Sequence, residues 1–203
     1  MTHTDDYWNH NTHYHRLVLG AMPDPCDAAL DVGCGEGLLA RRIAGRARHV
    51  TGVDLSAEMI EQARERAADS SASGTMEFVQ ADFLRHPFPE GAYDFVCSVA
   101  AIHHMDFERT LTRMAELLRP GGTLVVVSLA RNRTPLDWVL SGAALPAVKV
   151  IDRVRGVGGP AGMPVMDPEM SWGQVRREAL RLLPGARFRR RLLWRYSVHW
   201  RKP

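Results

Sequence analysis

The densest chemistry in this sequence lies in Asp31-Val32-Gly33-Cys34-Gly35-Glu36-Gly37, where three glycines alternate with other residues. The run Ala28 to Val32 before them has the apolar character of a buried parallel strand. Leu38 to Ala44 after them spaces its apolar residues as a helix does. Strand, glycine turn and helix together aim backbone N–H groups at a ligand, and a Cβ in the turn would keep that ligand away. A second apolar run, Val50 to Val53, ends at Asp54. A carboxylate about 20 residues past such a turn suits a ribose diol. A dinucleotide site would want the third glycine at position 38, where Leu38 stands. Asp31 beside the turn would also repel a pyrophosphate, yet it can accept hydrogen bonds from an ammonium group. A ligand with an amino-acid tail, a sulfonium and a ribose therefore fits better than NAD.

Further candidates follow the same alternation of strands and helices. Ser56 can cap a helix over Ala57 to Ala68, and Met59 one turn in can cover an adenine edge or simply fill the core. Met76 to Gln80 reads as a third strand ending at Ala81-Asp82-Phe83, where Asp82 offers an acceptor to an exocyclic amine. Tyr93 to Val99 reads as the fourth strand. Beyond its carboxyl end stand His103 and His104, whose imidazoles titrate near neutral pH and can take a proton or merely pack. Phe107 to Leu118 has helical periodicity. Arg119-Pro120-Gly121-Gly122 then turns the chain into a fifth strand, Thr123 to Leu129.

The string Asp31 to Gly37 resembles the first motif of class I S-adenosylmethionine (SAM) dependent methyltransferases. Asp54, Asp82-Phe83, the loop Ala100 to Met105, and the helix with its Pro-Gly-Gly turn and strand resemble that family at four more places. The resemblance spans about residues 28–130. It implies an α/β fold: a Rossmann-like, seven-stranded, mostly parallel sheet with helices on both faces and a C-terminal antiparallel hairpin. It implies SAM as cofactor, with S-adenosylhomocysteine as product. The cofactor candidates are then Asp31, Gly33, Cys34, Gly35, Gly37, Asp54, Leu55, Asp82, Phe83 and Ser98, with Met59 from its place in the helix and Tyr14 from the N-terminal segment. His103 and His104 become candidate catalytic residues. The implied activity is methyl transfer to a small molecule. A peptide or nucleic-acid acceptor, or a non-catalytic SAM-binding protein, are the alternatives.

The remaining segments have to position these groups. After a loose tail at 1–6, Tyr7 to Met22 reads as one amphipathic helix; residues 1–27 are expected to form a lid with Tyr14 and a histidine facing the ligand, a wholly structural helix being the alternative. His10, His13 and His15 lack nearby cysteines or carboxylates in a ligand pattern, so no metal is expected. Residues 28–130 form the SAM-binding core of a single domain. Residues 131–170, punctuated by prolines, form an insertion that covers the substrate, with Trp138 and Met163 as possible contacts and packing as the plainer role for each. Residues 171–203 supply a closing helix capped by Ser171, then a hairpin from Arg187–Leu193 and Tyr196–Arg201.

Composition narrows the class. The chain has 203 residues, a net charge of +3 and three cysteines without paired spacing. That combination suggests reduced thiols in a cytoplasm, with no polyanionic partner implied by charge. No signal-peptide pattern and no run of about 18 apolar residues is present. Arg176, Arg177, Arg181, Arg187, Arg189, Arg190, Arg191, Arg195, Arg201 and Lys202 make the C-terminal region basic. Exposed positions on a helix and hairpin account for them, and a nucleic-acid partner is not expected. Oligomeric state is not indicated.

Overall fold

Runs rich in β-branched and apolar residues become seven strands in the computed structural model, which describes residues 7–70, 72, 74–156, 158 and 167–203. They are β1 (Cys26–Val32), β2 (Ala47–Asp54), β3 (Thr75–Gln80), β4 (Tyr93–Val99), β5 (Leu118–Leu129), β6 (Arg187–Arg190) and β7 (Arg195–Arg201). The sheet order is β3-β2-β1-β4-β5-β7-β6. β1 to β5 are mutually parallel, and β7 pairs antiparallel with β5 and β6. The order reverses between β1 and β4, which makes their carboxyl ends the place where an open α/β sheet binds ligands.

Helices cover both faces. On one side lie α1 (His15–Leu19), α2 (Leu38–Ala44) and α3 (Ala57–Ala68), packing Ile43 and Ile60 against Ala29, Phe95 and Val127. On the other lie α4 (Phe107–Leu117) and, after α5 (Pro135–Arg155), α6 (Trp172–Leu182), packing Leu111, Met114 and Val175 against Leu30, Val96 and Val126. The alternation along β5 is the period-2 signature of a strand buried on both faces. Ser56 caps α3 by accepting from the Met59 backbone N–H, and Ser171 caps α6 in a box with Gln174.

Four expectations change. The lid helix over Tyr7–Met22 is not formed: a 3-10 turn, Thr12–Tyr14, leads into the short α1. Asn9 Oδ1 accepts from the backbone N–H groups of Asn11 and Thr12, so a side chain takes donors that a helix would need. Arg119-Pro120-Gly121-Gly122 lies inside β5, as an irregularity opposite Tyr93 and Phe95, with Gly121 at φ +78°. The first hairpin strand stops at Arg190 because Leu193 and Trp194 turn the chain at φ +56° and +55°. The proline-rich insertion contains a 21-residue helix, α5, in which Pro135 occupies the first turn and Pro146 the exposed interior. Met163 lies outside the described residues.

Candidate functional site

The glycine turn is wired to β2. The backbone N–H groups of Gly33 and Cys34 both donate to the Val53 carbonyl, at 2.8 and 3.0 Å. The Gly35 N–H donates to Asp54 Oδ2 at 2.9 Å, and the Ser56 N–H donates to Asp54 Oδ1 at 3.0 Å. A Cβ on Gly33 would stand 2.1 Å from the Ala101 Cβ, so glycine is what lets the loop after β4 close on the turn. At Gly35 (φ +53°) no atom lies within 4 Å of a Cβ position, so that residue faces open space. Gly37 precedes α2 at φ +75°. Cys34 is buried against this turn, and burial holds its thiol well above the usual range.

Asp31, 1% exposed, pairs in register with Cys97 on β4. Cys97 Sγ–H donates to Asp31 Oδ1 at 3.6 Å, and among the described residues Oδ2 has no hydrogen-bond partner. Burial pushes the Asp31 carboxyl up to about 7, against the Cys97 hydrogen bond and helped by the charge of Asp54. Ser98, the next residue along β4 from Cys97, points to the opposite face of the sheet, its hydroxyl likewise buried and unpartnered among the described residues.

Asp31, Gly33, Cys34, Gly35 and Val99 line one side of a cavity of about 80 Å³. The other side is the N-terminal segment: Tyr7, Asn9, Asn11, Thr12 and His15. The Tyr7 hydroxyl donates to Glu36 Oε1 across it at 2.5 Å. A strap therefore crosses the glycine turn, though as irregular chain. Tyr14 does not line this cavity. Its buried hydroxyl donates to the Leu192 carbonyl, and burial raises it to about 12, against the nearby Arg195 and Arg191. His10 Nε2 lies 2.9 Å from Asp152 Oδ1 on α5, while His13 packs edge-on to Tyr14. His15 is held neutral, its range lowered to about 3 by burial and by Arg42, which donates to its Nδ1 at 3.0 Å. Among the described residues no cluster of metal-ligating side chains occurs.

At the far end of β2, Leu55 is 73% exposed and Met59 is buried. Asp82 is spent locally: Oδ1 accepts from the Leu84 N–H at 2.9 Å, and Oδ2 lies 3.3 Å from Arg85 Nε. Phe83 is sunk in the core against Phe88.

The histidine pair sits just past β4, after Ala100 at φ +55°. Such a left-handed alanine is strained and marks a loop held in place by its surroundings. The two rings lie 4.0 Å apart. His103 Nδ1 is 3.1 Å from Ser128 Oγ, and burial, then His104 and Arg195, lowers His103 to about 4. His104 is lowered by burial and raised by Asp54. His103, with Ile102, Asp106, Leu129 and Tyr196, lines a separate cavity of about 170 Å³.

Sequence reasoning missed Arg195, counted with the exposed cations. It is 8% exposed, donates to the Asn11 side chain and the Leu193 carbonyl, and burial lowers it to about 10, with Tyr14 acting the other way. Nothing in a run of arginines distinguishes the inward one. Tyr7 and Glu36 were overlooked as a pair, although both stood within segments the sequence marked.

Residues 29–122 match the family model described as a methyltransferase domain. The chain is 37% identical over 206 residues to an uncharacterized methyltransferase of Mycobacterium bovis, covering 98% of this chain and 99% of that one. It is 35% identical over 134 residues to the 27-O-demethylrifamycin SV methyltransferase of Amycolatopsis mediterranei, covering 65% of this chain and 46% of that one. A crystal structure of a Pyrococcus horikoshii protein shares the fold, with a TM-score of 0.70 at 17% identity over 98% of this chain and 94% of that one. With a full-length relative at that identity and the family's sheet and glycine turn, the chain belongs to the class I SAM-dependent methyltransferases and uses SAM as its cofactor.

Proposed function

We propose that this enzyme methylates a small organic acceptor, with the amino-acid end of SAM seated between the glycine turn and the N-terminal strap. The observation that carries this is the buried Asp31 carboxylate with one oxygen unpartnered among the described residues, beside a turn whose Gly35 faces open space. An ammonium group there supplies the missing donor and counter-charge. The bound cofactor supplies an electrophilic methyl on a sulfonium. Gly33, Cys34, Gly35 and Gly37 shape the turn around its tail, and Asp54 accepts the ribose hydroxyls. Leu55, Met59, Asp82 and Phe83 border the adenine, and Ser98 supports the floor between β1 and β4. Tyr14 anchors the strap, which excludes water, rather than touching the cofactor.

His103 is neutral at pH 7, and in the tautomer whose Nδ1–H donates to Ser128 Oγ its Nε2 takes the proton from the acceptor. His104, its ring 4.0 Å from that of His103, is the second candidate. Of the segment 131–170, Pro168, Glu169 and Met170 line the cavity at His103 and cover the acceptor. A small acceptor is favoured over a polyanion because several C-terminal arginines are already engaged. Arg190 pairs with Asp137, Arg181 with Glu108 and Glu178, and Arg195 is buried. The Amycolatopsis relative is named for methylating 27-O-demethylrifamycin SV, which supports the same reading.

Calorimetry with S-adenosylhomocysteine, NAD as control, followed by turnover on a panel of small alcohols, acids and amines, tests the proposal. Binding of NAD in preference would overturn it. Cofactor binding with no turnover on any acceptor would make the chain a non-catalytic binder.

A further inference from the structure

Most apolar side chains of α5 point into solvent. Leu136, Val139, Val150 and Val154 are 63%, 65%, 62% and 76% exposed, and Trp138 is 65% exposed rather than packed. At helical spacing Leu136, Val139, Ala143, Val150 and Val154 fall on one stripe, with Arg153 and then Lys149 along one flank and Trp138 at that flank's outer edge. The only acids in the helix, Asp137 and Asp152, are both turned to the protein. Asp137 is buried against Arg190 and accepts the backbone N–H groups of Arg133 and Thr134. Asp152 meets His10. The outward face is thus apolar and cationic, without a carboxylate.

We propose that this face of α5 docks on an anionic lipid surface. An apolar stripe in solvent is unfavourable and marks a contact site. Laid in a bilayer interface, Leu136, Val139, Val150 and Val154 enter the acyl boundary and Trp138 sits at headgroup level. The stems of Lys149 and Arg153 lie along the surface with their charges on lipid phosphates. A second copy of the chain fits less well, because a two-fold contact brings like-charged flanks together with no acid on the face to neutralise them. The contact lies on the membrane rather than through it, since no helix among the described residues is long and apolar enough to cross. Through Asp152 and His10 the docked helix is joined to the strap that lines the first cavity.

The full chain is sedimented with phosphatidylcholine vesicles and with phosphatidylcholine/phosphatidylglycerol vesicles, at low and high salt. The expected result is binding to the anionic vesicles that falls with salt, with a blue shift in tryptophan emission that Trp138→Phe removes. Lys149→Gln with Arg153→Gln should lower the partition coefficient about thirty-fold, at about 1 kcal/mol per cation. Val139→Asp with Val150→Asp should abolish binding. Circular dichroism melts, which do not depend on the enzymatic reading, are expected to match the parent for all these exposed positions. Equal binding to neutral vesicles, parental binding by the folded variants, or no binding at low salt would overturn the proposal. So would a dimer, seen by light scattering, that Val150→Asp dissociates while vesicle binding stays absent.

Discussion

The Gly35 backbone N–H donates to Asp54 Oδ2 at 2.9 Å, so the glycine turn after β1 and the acidic end of β2 form one unit. The Ser56 N–H holds the other oxygen. Each carboxylate oxygen keeps a further lone pair, which on the proposed reading accepts a ribose hydroxyl. Asp54→Ala therefore loses both an acceptor and the brace on the turn. Affinity for S-adenosylhomocysteine, measured by calorimetry, should fall at least about tenfold, the equivalent of one hydrogen bond to a charged group.

Two glycines separate packing from ligand space. Gly33→Ala puts a methyl into Ala101 at φ +71° and should destabilise by more than about 3 kcal/mol, seen as a large drop in Tm. Gly35→Ala meets no atom but keeps φ +53°, so it should cost only about 1–2 kcal/mol of stability while weakening cofactor binding.

Asp31 should make cofactor binding pH-dependent. Its folded range, raised to about 7, lies above the unfolded value of 3.8, so the folded protein binds the extra proton. Stability of the free enzyme should therefore fall as pH rises from about 4 to 7, by a few kcal/mol. Binding of an ammonium-bearing ligand should tighten over the upper part of that window, because the ionised carboxylate is the form that attracts it. Asp31→Asn should flatten both curves in melts and calorimetry taken from pH 5 to 8.

His103 should leave no inflection near pH 6.5 in kcat. Lowered to about 4, it stays neutral through the neutral range. The unfolded chain takes up that proton first, so the histidine costs stability as pH falls from about 6.5 toward 4. His103→Ala should reduce kcat about a hundredfold with little change in KM for the cofactor. Full activity in His103→Asn would assign the ring a positioning role only.

The strap gives a matched pair of variants. Tyr14→Phe loses the bond to the Leu192 carbonyl and should cost about 1 kcal/mol of stability without weakening cofactor affinity. Removal of residues 1–15 should weaken cofactor binding and slow turnover. A folded truncation with full affinity and turnover would show that the strap is no lid.

Local rules carried far into this molecule. The helix Ala57–Ala68 and the strand Tyr93–Val99 have the bounds read from periodicity, because a serine cap and an apolar run act within a few residues. The N-terminal helix failed where Asn9 competed for backbone donors. α5 was hidden because its prolines read as breaks, although one sits at the helix start and the other on its exposed side.

The alternating strand and helix patterns, the three glycines and Asp54 determined by themselves a parallel sheet with a ligand-binding turn, since each signal acts over a turn or a strand's length. Tertiary structure alone decided which groups lost water and partners. Asp31 meets Cys97 across 66 residues, and Arg195 meets Asn11 across 184. Whether a carboxylate is unpaired, an arginine buried or a tryptophan exposed depends on which strands and straps close over it. No local pattern encodes that, because burial is a property of neighbours brought together by the fold.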